Sequence, residues 1–484
     1  MRNITLGLAS LLTAALGASC ASHGTSASWP ADLPRATPGT PTTERPPRAV
    51  TRALAEVSGA RATEDIAAMV AFGTRQSASE TESATRGIGA ARRWVADQFR
   101  ACATDARPLD ISFIGYTQAP DNRRITRPTE IINVVATLTG SLPPSQRQEI
   151  WVLAHLDSRA SDAADSTTDA PGANDDASGV AVLLEIARAL GDVPLDHTVI
   201  LAATSGEEQG LLGAWELARS ANARGARIRA VLNNDMVGDP IGPYAPGSST
   251  ARAAAKVVRV FSYGVQGNTA PDDLARISAL SAESDSPARQ VARYIADVAA
   301  LHDLPVRPAL VFRNDRFLRG GDHTAFLREG ILPSVRLTVP YEDYDRQHQD
   351  VRIEIDATTH AERIFGDTLE WIDPAYLAGA AELNLAAVMH LANAPTAPAD
   401  VRIITAELDN ETTLRWTPAP EADVAGYEIV TRPTTSPVWT RVIDVGDVDH
   451  ATVPLSKDNL FFGVRAVDRE GYRSLVSFAG SATE

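Results

Sequence analysis

Cysteine is nearly absent from this 484-residue chain, which contains only Cys20 and Cys102. Cys20 falls in a segment that reads as a targeting signal, so the rest of the chain can build neither a disulfide framework nor a cysteine-ligated zinc site. Any metal is left to histidine and carboxylate. Lysine is equally scarce: Lys256 and Lys457 are the only two, and arginine carries the positive charge, a compositional bias more than a chemical choice. Cations as a whole are outnumbered. Lys and Arg total 45 against 61 Asp and Glu, a formal net charge of −16. That balance argues against a nucleic-acid partner, because phosphate binding needs clustered cations. Beyond residue 20 there is no apolar run long enough to span a bilayer.

What is present divides the chain into segments, and its length calls for more than one folded unit. Residues 1–20 combine Arg2, an apolar run over 4–18 and a small-residue zone around Cys20. This is the pattern of an export signal. A cysteine directly after the apolar run fits a lipid anchor at Cys20. Gly17 stands where a lipobox prefers leucine, so ordinary cleavage near Ala21 is the alternative. The expected location is the periplasm, the cell envelope or the medium. Residues 21–49, with the stretch ATPGTPTTERPP, read as a flexible tether.

Residues 50–394 alternate between strand and helix patterns. Residues 87–99 place Ile88, Ala91, Val95 and Phe99 on one helical face. The β-branched runs 131–138 and 149–153 read as buried neighbouring strands. Residues 180–190, 211–220 and 288–301 read as helices, and 197–203, 230–232 and 334–339 as strands. Long helical patterns are expected over 357–394, and a loop region with only short helical patterns over 240–286. The alternation implies a central sheet covered by helices on both faces, an α/β domain. After Pro395 the pattern changes to short strands at 401–403, 413–416, 426–430, 439–443 and 461–467. With turn residues between them, residues 397–484 read as an all-β, Ig-like sandwich.

Chemistry concentrates where these strands end. His155 and Asp157 follow the strand EIWVL. Ends of core strands in an α/β sheet face the crevice where ligands bind. His155 can offer a neutral imidazole to a metal while Asp157 accepts its second N–H, although a hydrogen-bonded structural histidine fits the same three residues. Asp175 lies in a Gly-rich turn before the 180–190 helix. Asn174, Asp176 and Ser178 could cap that helix equally well, and one cap needs one oxygen. Glu207 and Glu208 follow the strand HTVILAA, where adjacent carboxylates either begin a solvated helix or share a cation. Asp235 ends the strand VLNND. His323 and His348 fall in loops. Together His155, Asp175, Glu208, Asp235 and His348 form the nitrogen and oxygen set that zinc takes without cysteine. Five ligands are too many for one ion and suit two ions sharing a carboxylate.

The series AHLDS, APGANDDASGVAVLLEIAR, SGEEQGLLGA, NNDM, GGDHTAF and HQD, in this order over residues 60–390, resembles the M28 family of metallopeptidases. The resemblance implies a mixed central sheet flanked by helices, two zinc ions, and hydrolysis of peptide or protein substrates, with aminopeptidase action as the expected mode. It implies that His155, Asp175 and Asp235 hold one zinc and that Asp175, Glu208 and His348 hold the other. It further implies that Glu207 is the catalytic base and Asp157 the aspartate behind the metal ligands. Relatives with a tyrosine near the last histidine have no counterpart at Gln347, and Tyr341, Tyr344 or an arginine would have to replace it. The C-terminal residues LRW at 414–416, GYEI at 426–429 and FGVRAVD at 462–468 resemble a fibronectin type III domain. Two other readings remain: a glutaminyl cyclase-like acyltransferase with one zinc, and an inactive binding protein on a peptidase fold. The complete ligand set and the retained Glu207 favour the hydrolase.

Overall fold

Eight strands form one mixed sheet: β1 (Asp110–Gln118), β2 (Thr129–Leu138), β3 (Glu149–His155), β4 (Thr198–Thr204), β5 (Ile228–Asn234), β6 (Val257–Ser262), β7 (Arg307–Val311) and β8 (Ser334–Thr338). Their spatial order is β1-β2-β4-β3-β5-β8-β6-β7. The structure is a computed structural model that describes residues 46–104, 108–121, 123–356, 358–406 and 410–481. The export signal, Cys20 and almost all of the tether lie outside the described residues. The described part of the tether already enters a helix, Arg48–Leu54, with Val50 buried.

The centre of the sheet is parallel. β4, β3, β5 and β8 run in one direction, while β2 joins β4 and β6 joins β8 antiparallel. β3 and β4 are buried along nearly their whole length. This is the condition a parallel sheet covered on both faces requires, and it explains the near-continuous apolar runs. The helices Gly59–Val70, Gly87–Ala101, Ser178–Leu190 and Pro374–Asn393 bury their apolar faces in one large core with these strands. Ile88, Ala91, Val95 and Phe99 all turn inward as their spacing predicts. The helix Leu212–Ala223 covers the other face with Trp151, Phe326 and Val231.

Three expectations fail. The runs 131–138 and 149–153 are both strands but not neighbours, because β4 lies between them. Residues 240–286 hold, besides the short helices Ser249–Ala254 and Pro271–Ala279, the sheet strand β6, which was not expected there. In the 357–394 stretch the described residues form one long helix, Pro374–Asn393, and a single 3-10 turn, Leu369–Trp371. An exposed hairpin, β9 (Arg352–Ile355) with β10 (Glu362–Phe365), ends within the first part of that stretch.

Helix Pro374–Asn393 ends and strand β11 (Ala399–Ile403) begins the second unit. It continues with β12 (Thr412–Thr417), β13 (Val424–Pro433), β14 (Arg441–Gly446), β15 (His450–Val453), β16 (Leu460–Asp468), β17 (Ser477–Phe478) and β18 (Gly480–Ser481). These form two four-stranded sheets, β15-β12-β11-β18 and β14-β13-β16-β17. Leu414 and Trp416 of the first sheet share a core with Tyr427, Ile429 and Val464 of the second, so the unit is a β-sandwich.

Candidate metal centre

The C-terminal ends of the parallel strands β4, β3 and β5 lie side by side, and each contributes to one site. His155 is the last residue of β3, Asp235 directly follows β5, and Glu207 and Glu208 lie in the turn after β4. Asp175 comes from the turn before helix Ser178–Leu190, and His348 from the loop after β8. Ligand atoms of His155, Asp175 and Asp235 all lie within 4.8 Å of one another, as do those of Asp175, Glu208 and His348. His155 Nε2 is 2.9 Å from Asp175 Oδ1 and 4.0 Å from Asp235 Oδ1. His348 Nε2 is 3.1 Å from Asp175 Oδ2 and 2.9 Å from Glu208 Oε1. The two oxygens of Asp175 thus face different histidines.

Neighbouring residues fix this arrangement. Asp176 Oδ2 accepts the His155 N–H at 3.0 Å, and its Oδ1 accepts those of Gly179 and Met236, both at 3.0 Å. One carboxylate thereby ties the end of β3, the exit of β5 and the start of the helix. Position 179 must be glycine for this, since a Cβ there would meet both Asp176 oxygens at 2.6 Å. Because Asp176 serves the helix start, Asp175 is free. The buried Asp367 carboxylate accepts the N–H groups of Asn174 and Asp175, the latter at 2.7 Å. Gln347 donates to Asp175 Oδ2 at 2.9 Å. Behind Asp235, the fully buried Arg336 donates to Oδ1 at 2.8 Å and pairs with Asp315 on its other side.

Asp157 differs in part from its expected role. The His155 Nδ1 partner is the main-chain carbonyl of Asp157, at 2.9 Å, and the nearer carboxylate oxygen is 3.9 Å away. The carboxylate instead accepts the N–H groups of Glu207 at 3.2 Å and Glu208 at 3.1 Å. Asp157 therefore holds both the histidine and the double-glutamate turn.

The carboxylates concentrate negative potential at this point. Burial works against a charged His155, yet Asp175 and the surrounding acids outweigh it and hold its pKa well above the ordinary value. His348 is likewise raised to about 10, with Glu208 and Asp175 overcoming burial. Burial pushes the Glu207 carboxyl well above the ordinary range, and Asp235, Glu208 and Asp322 add to it while His155 opposes. Burial also raises Asp322 to about 7; it accepts a short hydrogen bond from Thr204. His323 points elsewhere, with Nε2 bonded to the Asn314 carbonyl at 2.9 Å.

A cavity of about 710 Å³ opens onto Asp175, Glu207, Glu208, Asp235 and His348. Its size suits a small ligand or a peptide end. Leu211, Met236, Leu318 and His348, four of the eight described non-glycine residues with positive φ, belong to this region. Unfavourable backbone of this kind gathers where function constrains the chain. Neither Tyr341 nor Tyr344 lines the cavity.

Residues 133–369 match the family described as Peptidase family M28. A protein of Leptosphaeria maculans named "Probable zinc metalloprotease" is 42% identical over 414 residues, 85% of this chain and 92% of its own. This chain belongs to peptidase family M28. A second relative under the same name, from Pyricularia oryzae, is 42% identical over 430 residues, 87% of this chain and 82% of its own. Among solved structures, LapA of Legionella pneumophila matches with a TM-score of 0.50 at 16% identity, covering 75% of this chain and 79% of LapA. That likeness bears on the fold alone.

The M28 peptidase is a zinc metallopeptidase, and its own residues fit the metal. The donors are histidine nitrogens and carboxylate oxygens, the set a cysteine-poor chain must use. Glu208 Oε1 is buried without a hydrogen-bond partner and faces His348 Nε2, as two ligand atoms sharing a third partner would. Sequence reasoning missed Arg336, Asp315 and Asp367, which lie far from the motifs and have no local signal. Asp176 and Gln347 adjoin ligands and were legible only as a helix cap and a departure from the family pattern.

Proposed function

We propose that this M28 peptidase hydrolyses peptide bonds with two zinc ions, one held by His155, Asp175 and Asp235 and the other by Asp175, Glu208 and His348. The observation that carries this reading is the Asp175 carboxylate, whose two oxygens face two separate ligand groups. When bound, the zinc ions supply the Lewis acidity that makes water acidic and polarises the scissile carbonyl. Glu207 takes a proton from the attacking water and returns it to the leaving amine. Asp157 keeps Glu207 in reach by fixing its main chain.

The mode of action is that of an aminopeptidase. Aminopeptidase action is the mode that the M28 resemblance implies, and the cavity beside the metal centre has the volume for a peptide end. The cyclase reading needs only one metal and leaves the second ligand group without a task. The C-terminal sandwich is a fibronectin type III-like domain, with Trp416 and Tyr427 in its core. The enzyme is exported, held at the envelope by a lipid on Cys20 or released by cleavage near Ala21. A panel of aminoacyl anilides and N-blocked peptides, with chelator and with zinc restored, tests the assignment. Cleavage of free N-termini only, abolished by chelator and returned by zinc, is expected; cleavage of blocked peptides would overturn the aminopeptidase mode.

A further inference from the structure

In a chain of net charge −16, the cavity over the metal centre is lined by five arginines. Its walls include Arg124, Arg159, Arg316, Arg319 and Arg328, and no acid beyond the four metal-centre carboxylates. Two zinc ions would offset those four charges, so the arginines decide the sign of the remaining field. Arg316 is already committed, with bonds to Asp315 at 3.1 Å, to Glu342 at 3.0 Å and to the Gly320 carbonyl. The other four keep free donors. Arg328 is exposed and forms no hydrogen bond or ion pair among the described residues. Arg319 makes a single long contact of 3.4 Å to Glu342 and lies over the Tyr344 ring. Arg124 uses one nitrogen on the Glu208 carbonyl at 2.6 Å. Arg159 spends two nitrogens on the carbonyls of Ala160 and Ser161, and its third stays 3.9 Å from Glu208 Oε2.

The scarcity of lysine explains why these cations are arginines. It does not explain why they gather at one mouth where Arg328 has no acidic partner among the described residues and Arg319 has only a long contact to Glu342. Guanidinium groups with unused parallel N–H donors recognise carboxylate in a bidentate manner. We propose that these arginines, Arg319 and Arg328 above all, bind a substrate carboxylate, so that this enzyme prefers peptides bearing a negative charge within reach of the first bond. The inference rests on the peptidase reading of the same site. The carboxylate has two sources, an acidic side chain or the C-terminus of a very short peptide.

Matched substrates separate them. One arm compares amidated tetrapeptides with Glu or Gln as second residue; the other compares dipeptides as free acids and as amides. The zinc-loaded wild type is set beside Arg319→Gln/Arg328→Gln, and kcat/KM is read for each. Calorimetry of the same peptides on zinc-loaded Glu207→Gln protein, with and without the two arginines, adds a readout independent of turnover. The expected result is a preference of about tenfold or more for the charged member in at least one arm, reduced to about twofold in the double variant, with neutral substrates unaffected. Equal rates within both arms, or a preference that survives the double variant, would overturn the proposal. If no peptide is turned over but the charged member still binds about tenfold more tightly through the two arginines, the peptidase reading fails and the carboxylate site stands; equal binding would remove both.

Discussion

At the scale of single residues, the site separates groups that would touch metal or substrate from groups that hold them in place. Glu207 is the base without being a ligand. Glu207→Gln should therefore retain zinc and lose turnover by several orders of magnitude. Metal analysis alongside kinetics checks this, and near-normal activity would remove Glu207 from the role. Arg336 is a positioning residue, fully buried between Asp235 and Asp315. Arg336→Met leaves Asp235 without its cation, while Asp315 keeps Arg316. Breaking a buried pair in this way costs about 3–5 kcal/mol. The loss should appear in urea unfolding of the zinc-free protein and shrink when zinc is added, because the ion takes over the charge of Asp235. An equal penalty in both states would mean that Asp235 does not meet metal.

At the scale of elements, the parallel strands β4, β3 and β5 fix the site by ending together. Helix Leu212–Ala223 packs tightly against the turn that carries Glu207 and Glu208. Gly213 allows this approach: a Cβ there would lie 2.1 Å from Asn133 Oδ1 and 2.5 Å from the Ser205 carbonyl oxygen. Gly213→Ala should displace the turn, lowering kcat/KM by at least tenfold while far-ultraviolet dichroism stays unchanged; full activity would show that the turn is not held by this contact.

The same geometry explains what the sequence made legible. Strands β3, β4 and β5 are short apolar runs next to strong helix patterns, and His155, Glu207, Glu208 and Asp235 could be found at their ends. Asp175 and His348, in a Gly-rich turn and a loop, were legible from the order of the motifs. Strand order was not, since the insertion of β4 between β2 and β3 is a long-range pairing without local sign. β6 (VVRVFS) follows a short helix in a segment rich in turn residues, and its partner β8 is some seventy residues away. The hairpin β9–β10 exposes Ile353, Ile355 and Ile364, so burial gives no cue to it. Arg336 was hidden because its partners Asp235 and Asp315 lie on other segments of the chain.

At the scale of the whole molecule, the two units are joined by buried charge. Arg432 of β13 reaches Asp285 at 2.6 Å, where Arg293 also binds at 3.1 Å. Arg465 of β16 spans Asp297 at 3.1 Å and Glu428 at 2.6 Å. Tyr294 donates to the Arg473 carbonyl at 2.8 Å. Truncation after residue 394 would strip these partners from Asp285 and Asp297. The shortened chain should unfold at lower urea concentration than the full chain, and an unchanged midpoint would mean that the sandwich contributes nothing to the fold of the peptidase unit.

The junction also has a pH signature. Burial raises Asp297 to about 6 from its ordinary value near 3.8, although Arg465 opposes it. The folded chain thus holds a proton that the unfolded chain has released. The stability this group contributes is complete below about pH 4 and is lost as pH rises through 6, at no more than about 1.4 kcal/mol per pH unit. Asp297→Asn should flatten the slope of the unfolding free energy over that window; an unaltered slope would place the titration elsewhere.

The claim on which the catalytic account rests is that Asp175 joins two metal ions. Anomalous diffraction at the zinc edge from zinc-loaded crystals tests it most directly. The account predicts two peaks, one against His155 and Asp235, the other against Glu208 and His348, each touching one oxygen of Asp175. A single peak, or zinc bound away from Asp175, would contradict it.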